Sequence, residues 1–366
     1  MDFRAYRFLL TVLVCLALPG GAFASTLTAA YASQTPGFAL EFDGELCPYP
    51  LMSAFVMPGT TLEFSVVAAH PDRGFLADAE AGELVRVEAM SWRWRAPEEP
   101  GYSRITVQDF TTGRAICIKA FVLVPYDGSG SINGYAIGSY ASPRDDDPVY
   151  DPPAGLLEVT PEIENTWVSP NFQLEQFVCK QESDYPKYMV LKTRLLLKLE
   201  MLVDDLVRLR GRVPAIHVMS AYRTPYYNRK IGNRTTYSRH LYGDAADIFV
   251  DEDGDESMDD VNGDGLITTG DAGTLYRQVE ELFQEPWYTP FIGGMGLYGP
   301  RRDRGPFVHI DTRGSHARWG DRRGGKWLRA NRLLEETEDG TTIIPPRRIE
   351  PTITSRFLEL DRLIRR

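Results

Sequence analysis

The chain has 366 residues, 43% of them hydrophobic, and a formal net charge of −11 at pH 7. This length and composition indicate a globular protein with room for two domains. The negative charge argues against nucleic-acid binding, because contact with phosphates needs a basic face. Much of the excess is local, with seven acidic residues at 251–260 and three more at 145–147. Such clusters favour a bound cation over a protein partner.

The first 24 residues have the pattern of a secretory signal peptide. Arg4 and Arg7 precede a short apolar run at 8–18, and small residues follow up to Ala24. This order predicts cleavage after Ala24 and export to the periplasm, the cell envelope or the medium. The run is too short to span a bilayer comfortably, and no later stretch resembles a membrane helix, so no stable membrane anchor is expected.

Three cysteines remain in the exported chain, namely Cys47, Cys117 and Cys179. An oxidising compartment permits a disulfide, and Cys47 with Cys117 is the natural pair because both lie in the first domain. Cys179 is then expected to be a buried thiol.

Residues 25–140 have the pattern of an all-β domain. Three segments alternate in polarity, at 61–67, 84–88 and 104–108, and a fourth at 114–124 is mostly apolar. Gly and Pro residues mark turns between these segments. Several short strands with regular turns predict a β-sandwich.

The stretch 91–105 is faintly similar to immunoglobulin-like domains of exported bacterial proteins. Its cysteine-to-tryptophan spacing differs from that of a true immunoglobulin domain. Trp92 and Trp94 share one face of a strand, and packing in the core is favoured over a sugar-stacking platform, because aromatic side chains mostly serve burial.

A linker is predicted at 141–170, where Gly, Ser, Pro and Asp are frequent. The second domain is assigned to 171–330. Leucines recur there at spacings of three and four, which predicts a helix over 188–210 that Gly211 ends. A buried strand is predicted over 213–219, directly before a Ser-Ala-Tyr-Arg sequence at 220–223.

Three residues of the second domain form a candidate zinc site: His240, Asp247 and His309. Imidazole and carboxylate groups are ordinary zinc ligands, and three protein ligands leave a fourth position for a water molecule. Small residues between His240 and Asp247 let the backbone fold tightly enough for both to reach one ion. On spacing alone, a buried histidine paired with an aspartate is an equally good interpretation.

These motifs resemble the D-alanyl-D-alanine carboxypeptidase-like zinc peptidases, which share an α+β fold with the hedgehog signalling domain. The family pattern Ser-x-His-x-x-Gly-x-Ala-x-Asp is filled by Ser238, His240, Gly243, Ala245 and Asp247. A Gly-x-Gly-x-Tyr sequence at 294–298, before Phe-Val-His-x-Asp at 307–311, is similar to the branch that includes murein endopeptidases. The resemblance implies hydrolysis of the peptide part of peptidoglycan, either as a carboxypeptidase or as an endopeptidase.

The resemblance also implies roles for Arg223 and Asp311. Arg223 matches the motif arginine, which can hold a substrate carboxylate or stabilise an oxyanion. A structural salt bridge is the alternative. Asp311 shares a strand face with His309, and it either orients this ligand or acts as general base. Other branches place a Glu or His base just before the last ligand, where this chain has Pro306 and Phe307.

A second metal is predicted in an insertion at 251–272. The sequence 260–271 matches a calcium loop, with glycine at its sixth position and ligands from Asp260, Asn262, Asp264, Leu266 and Asp271. It resembles the loops of dockerin modules, and a helix is expected over 272–284. The upstream residues Asp251, Asp253, Asp255 and Asp259 form a rougher loop, for which a solvated acidic run is slightly favoured over a second calcium loop.

The tail at 331–366 is polar and ends in a predicted amphipathic helix at 355–366. The main hypothesis is therefore an exported zinc peptidase that also binds calcium. Two alternatives remain: a zinc-containing protein that binds wall peptides without cutting them, and a calcium-dependent surface or adhesion protein. The oligomeric state stays open.

Overall fold

The computed structural model describes residues 36–320, with gaps at 69–72, 145–146 and 211–214, and two strands at Leu334–Thr337 and Gly340–Ile343. The predicted signal peptide, the predicted helix at 355–366 and Gly211 lie outside the described residues. Among the residues described, no helix is both long and apolar enough to cross a membrane.

Two β-sheets make up the N-terminal region. One sheet has the strand order β2-β1-β4-β7-β6 and the other has the order β3-β9-β8-β5. These strands are β1 (Ala39–Phe42), β2 (Glu45–Cys47), β3 (Leu51–Val56), β4 (Thr61–Val67), β5 (Phe75–Ala79), β6 (Glu83–Glu88), β7 (Ser91–Arg95), β8 (Gly101–Asp109) and β9 (Ala115–Val122).

Alternating side chains fill the core of this region. Phe64 on β4 stacks on Trp92 of β7 with ring centroids 5.7 Å apart, and Trp94 is completely buried. Phe38 packs edge-on against Phe75 of the other sheet at 5.1 Å. The two tryptophans therefore serve core packing, as expected. The β-rich N-terminal region is confirmed, while the immunoglobulin-like class stays a prediction.

The predicted disulfide between Cys47 and Cys117 is not present, because both residues are free thiols. The alternation along β9 turns Ile116 and Ile118 into the core and leaves Cys117 between them only partly buried. Cys47 is buried on a strand of the other sheet, so the two thiols do not meet. Cys179 is a buried free thiol, as predicted.

The connection between the regions spans 124–189, and two of its strands and one of its 3-10 helices lie within the linker predicted at 141–170. It contains β10 (Val124–Pro125), β11 (Ser131–Ile132), β12 (Tyr135–Ala136), β13 (Gly155–Val159), β14 (Trp167–Ser169), β15 (Phe172–Gln173) and β16 (Lys187–Met189), with short 3-10 helices at Pro148–Tyr150 and Leu174–Phe177. Strand β13 lies between β10 and β16, and most of its side chains are buried. Apolar residues within a Pro- and Asp-rich stretch thus form a central strand.

The C-terminal region is an α+β unit around a five-stranded sheet of order β17-β18-β20-β19-β21. Its elements are α1 (Thr193–Arg210), β17 (Ile216–Ser220), α2 (Pro225–Lys230), β18 (Ala245–Val250), α3 (Thr269–Leu282), β19 (Gly294–Tyr298), β20 (Phe307–Asp311) and β21 (Ala317–Gly320), with 3-10 helices at Arg239–Tyr242 and Pro286–Phe291. Helix α1 begins later than predicted because 187–189 pair with β13.

Helix α1 joins the two regions through its leucine stripe and a few polar contacts. Thr193 Oγ1 donates a hydrogen bond of 2.9 Å to the carbonyl of Ser53, and Tyr49 OH donates one of 2.9 Å to Asp204. Arg194 forms an ion pair with the buried Glu45. The N-terminal sheets are therefore docked on the helix that also supports the C-terminal sheet.

Glu200 is a fully buried carboxyl group on α1. It accepts hydrogen bonds from Ser169 Oγ at 2.6 Å, from the Asn171 backbone N–H at 2.8 Å and from the Asn171 side chain at 2.5 Å. Burial raises the pKa of Glu200 from 4.5 to about 7, because these donors only partly offset the loss of water.

We predict that Glu200→Gln changes the pH dependence of stability. A raised carboxyl pKa stabilises the fold below pH 4.5, and this stabilisation is lost as the pH rises through about 7. The wild type should therefore lose roughly 3 kcal/mol relative to the variant across this window. Chemical unfolding between pH 4 and 8 measures the difference. The exposed Glu182→Gln is the control, and parallel curves for the wild type and Glu200→Gln would contradict the prediction.

Candidate metal centre

Two adjacent strands and one turn place the three predicted zinc ligands. Strands β18 and β20 are antiparallel, and Asp247 lies directly opposite His309 in their register. His240 lies in the 3-10 helix that precedes β18, and this helix ends at Gly243 with a left-handed φ of 69°. A Cβ at position 243 would also collide with the Val190 carbonyl. Glycine is thus required for the turn that brings His240 back to the strand.

The three side chains converge on one point. The distance between His240 Nε2 and His309 Nδ1 is 3.1 Å, and the distances from these atoms to Asp247 Oδ1 are 3.3 and 2.9 Å. Zinc bonds of about 2.0–2.1 Å at tetrahedral angles set ligand atoms roughly 3.3 Å apart. The triangle therefore has nearly the size that one zinc ion needs.

Hydrogen bonds on the far side of each imidazole fix which nitrogen faces the centre. His240 Nδ1 lies 2.6 Å from the carbonyl oxygen of Ala221, so it carries the proton and leaves Nε2 free. His309 Nε2 lies 3.3 Å from Asp311 Oδ2, which leaves Nδ1 directed at the centre. Metal-binding histidines commonly have such a partner on the second nitrogen.

Charges around the centre favour the metal-binding protonation states of Asp247 and His240, whereas they favour the protonated form of His309. Burial disfavours an ionised Asp247, but His240, His309 and Arg223 outweigh it and hold the pKa of this carboxyl well below its usual range. Burial lowers the pKa of His240. Burial also acts to lower the pKa of His309, but hydrogen bonds to Asp247 and Asp311 raise it overall. Near neutral pH, Asp247 is an anion and His240 is a neutral donor, as metal coordination requires.

Arg223 lies beside the centre on the loop after β17. Its Nε donates a hydrogen bond of 2.9 Å to Ser220 Oγ, and its Nη2 pairs with Asp247 Oδ2. The side chain keeps 13% of its surface exposed. Both expectations for Arg223 are thus compatible with its position, since it makes a salt bridge and also borders the candidate metal site.

Asp311 is completely buried behind His309, on the side of the ring away from the other two ligands. Its carboxylate also accepts a hydrogen bond from the Gly294 N–H at 2.7 Å and bidentate hydrogen bonds from Arg313. Burial opposes its ionisation, but His309 and Arg313 hold the pKa of Asp311 well below the usual range. These contacts favour a role in orienting His309 over a role as general base.

Lys198 on α1 contacts the end of β20 at Asp311, and sequence analysis did not identify it. Its Nζ donates hydrogen bonds to the carbonyl oxygens of Asp311 at 2.7 Å and Phe291 at 2.9 Å, and it lies 4.8 Å from the ring centroid of Phe283. Burial lowers its pKa to about 7. The available signal was a lysine inside the leucine stripe of α1, three residues after Leu195.

The Gly-x-Gly pattern at 294–296 is explained by the indole of Trp319. This side chain covers β19, lies 5.0 Å from the His309 ring between centroids, and donates a hydrogen bond of 2.8 Å to Tyr298 OH. A Cβ at Gly294 would lie 2.7 Å from Trp319 Cη2, and one at Gly296 would lie 2.5 Å from Trp319 Nε1. Glycine makes room for the aromatic wall of the site.

In the predicted calcium loop at 260–271, acidic side chains accept hydrogen bonds from N–H groups of the loop's own backbone. Asp260 Oδ1 accepts the Gly263 N–H at 2.7 Å, and Asp271 accepts the N–H groups of Val261 and Thr268 at 2.9 and 2.7 Å. Asp271 forms a capping box with Thr268 at the start of α3.

Among the described residues, ligand atoms of three or more His, Cys, Asp or Glu residues come together only in two groups. One is the zinc triad, and the other is Asp251, Asp253 and Asp255, in the loop that was interpreted as a solvated run. Calcium at 260–271 and the dockerin-like insertion stay predictions.

We predict that Gly296→Ala destabilises the fold, because the new methyl group pushes Trp319 away from Tyr298. Overpacking of this kind costs about 1–3 kcal/mol. Urea unfolding measures the loss, and indole fluorescence reports the displaced tryptophan. Gly273→Ala is the matched control, since a Cβ there meets no atom within 4 Å and a helical alanine should stabilise α3. Equal stability of Gly296→Ala and the wild type would contradict the prediction.

Comparison with known proteins supports the resemblance over part of the chain. Residues 170–263 match the family model described as Peptidase M15. The matched segment contains Arg223, His240 and Asp247, whereas His309 and Asp311 lie beyond it. No curated protein matches the chain. Residues 170–263 are thus similar to the D-Ala-D-Ala carboxypeptidase-like M15 zinc peptidases, and this segment supplies two of the three candidate ligands.

Proposed function

We propose that this protein is an exported zinc peptidase that hydrolyses peptide bonds in the stem peptides or cross-links of peptidoglycan. The observation that carries the proposal is the convergence of His240, Asp247 and His309, two of them inside the segment that matches the Peptidase M15 family. Two imidazole nitrogens and one carboxylate oxygen form a donor set that suits zinc. Zinc supplies a water of lowered pKa and polarises a carbonyl group.

Arg223 holds the substrate in this proposal. Its Nε and Nη2 are used by Ser220 and Asp247, which fixes the guanidinium plane beside the centre. In this proposal the remaining N–H groups on Nη1 bind a substrate carboxylate or the oxygen of the scissile carbonyl. A planar cation that is already held in position loses little freedom on binding, which favours a well-oriented contact.

Asp311 acts as a positioning residue. Its negative charge fixes the His309 ring, and Gly294, Arg313 and the backbone contact to Lys198 fix Asp311 in turn. A carboxylate in this position also makes the coordinating imidazole a stronger donor.

We predict that His240→Ala abolishes both zinc binding and hydrolysis, because two remaining ligands hold the ion poorly. Purified sacculi are digested with the wild type and the variant, with and without a chelator, and products are identified by mass spectrometry. Zinc content is measured by elemental analysis. His217→Ala is the matched control, because His217 lies on the neighbouring strand β17 and stacks on Phe249 outside the centre.

The products also separate the alternatives. Release of terminal D-alanine indicates a carboxypeptidase, and cleavage of cross-linked dimers indicates an endopeptidase. If the wild type binds zinc but leaves every muropeptide intact, the protein recognises wall peptides without cutting them and the proposal is wrong.

We predict that Asp311→Asn weakens zinc binding about 10- to 100-fold, since an amide orients His309 less strongly than a carboxylate does. Competition with a chromophoric chelator measures the affinity. Asp109→Asn serves as control, because Asp109 is an equally buried aspartate that pairs with Arg73 in the N-terminal region. Unchanged zinc affinity with a large fall in kcat would instead identify Asp311 as the general base.

A further inference from the structure

A groove of about 610 Å³ lies between the connection to the N-terminal region and the segment that follows Arg223 in the chain. Residues 139–141 form one wall, and residues of 225–236 form the other. A volume of this size suits a small ligand or a few residues of a peptide.

Backbone hydrogen bonds tie the groove to the residues of the centre. Leu241 lines the groove and directly follows His240 in the chain. The His240 carbonyl accepts the Arg223 N–H at 3.0 Å, and Tyr140 OH in the opposite wall donates to the Leu241 carbonyl at 3.1 Å. Both walls are therefore fixed relative to the backbone that carries His240 and Arg223.

The groove is positively charged in a chain whose net charge is −11. Arg229 and Arg234 line it, and no acidic residue is among the described residues of the lining. Arg229 contacts the carbonyl of Ser139 at 3.4 Å, whereas Arg234 is exposed and forms no ion pair within the described parts of the chain. An unpaired guanidinium beside a concave surface attracts a carboxylate.

A buried acceptor in the lining adds a second observation. Asn228 is only 3% exposed, and its Nδ2 donates a weak hydrogen bond of 3.4 Å to the Asn233 carbonyl, but its Oδ1 has no partner. Buried polar atoms are nearly always hydrogen-bonded, so an acceptor without a donor indicates a missing group. The N–H of a peptide ligand would supply it.

We propose that this groove is a subsite for the part of a wall peptide that flanks the scissile bond, with Arg234 binding a free carboxylate and Asn228 Oδ1 accepting an N–H. The inference rests on the proposed function, because it takes the ligand to be the peptide that the centre cleaves. Arg234 is then a specificity-determining residue, distinct from Arg223 beside the metal ligands.

The test uses the full-length protein and the tetrapeptide L-Ala–γ-D-Glu–meso-diaminopimelate–D-Ala, together with the same peptide in which the carboxylates are amidated. Calorimetry gives Kd for the wild type, Arg234→Glu and Lys230→Glu. Lys230 is the matched control, because it is an exposed cation on α2 that does not line the groove. Mass spectrometry shows whether the peptide stays intact, and kcat/KM replaces Kd if it is cleaved.

Arg234→Glu should weaken binding of the acidic tetrapeptide about three- to tenfold, and Lys230→Glu should change it by less than about twofold. Amidation of the peptide should remove the difference between Arg234→Glu and the wild type. The subsite would be overturned if Kd is unchanged in Arg234→Glu or if both variants lose affinity equally. It would also be overturned if the difference persists with the amidated peptide or if the wild type does not bind. Cleavage is scored separately on sacculi: if every muropeptide stays intact while Kd follows the expected pattern, the peptidase is wrong and the groove is retained.

Discussion

The antiparallel register between β18 and β20 is the constraint on which the candidate centre depends. It places Asp247 opposite His309 and Ala245 opposite Asp311. Because side chains alternate along a strand, a slip of one residue would turn these groups to the other face of the sheet. Strand β17 pairs with β18 on the other side and ends just before Ala221, whose carbonyl orients His240. The sheet and the segments that adjoin its strands thus set both the positions and the tautomers of the ligands.

This arrangement buries several charged groups, and the contacts between them offset the free-energy cost of removing them from water. A buried ion without partners costs several kcal/mol, whereas a carboxylate with well-placed donors is stable. Asp311 has His309, Arg313 and a backbone N–H around it, and Lys198 bonds to its carbonyl oxygen. The resulting rigidity is what a metal site needs, since small displacements of a ligand weaken binding strongly.

Sequence patterns predicted the parts of the fold that follow from local periodicity. The leucine stripe of α1 and the buried strand β17 appear almost where expected, and His240, Asp247 and His309 meet as the motif predicted. Contacts between distant segments were missed. Local sequence patterns do not show that Lys198 contacts the end of β20, that 155–159 forms a central strand, or that Gly296 makes room for an indole.

One expectation was wrong because it depended on geometry that spacing does not contain, and a second one remains untested. Cys47 and Cys117 were paired because they share a region, but strand alternation separates their side chains. Calcium at 260–271 stays a prediction, and the structure adds only that Asp271 caps α3 and accepts backbone N–H groups. Residue type predicts which chemistry is available. Which chemistry is used depends on what each side chain already contacts, and that is why the unpartnered Asn228 Oδ1 is more informative than the larger acidic cluster.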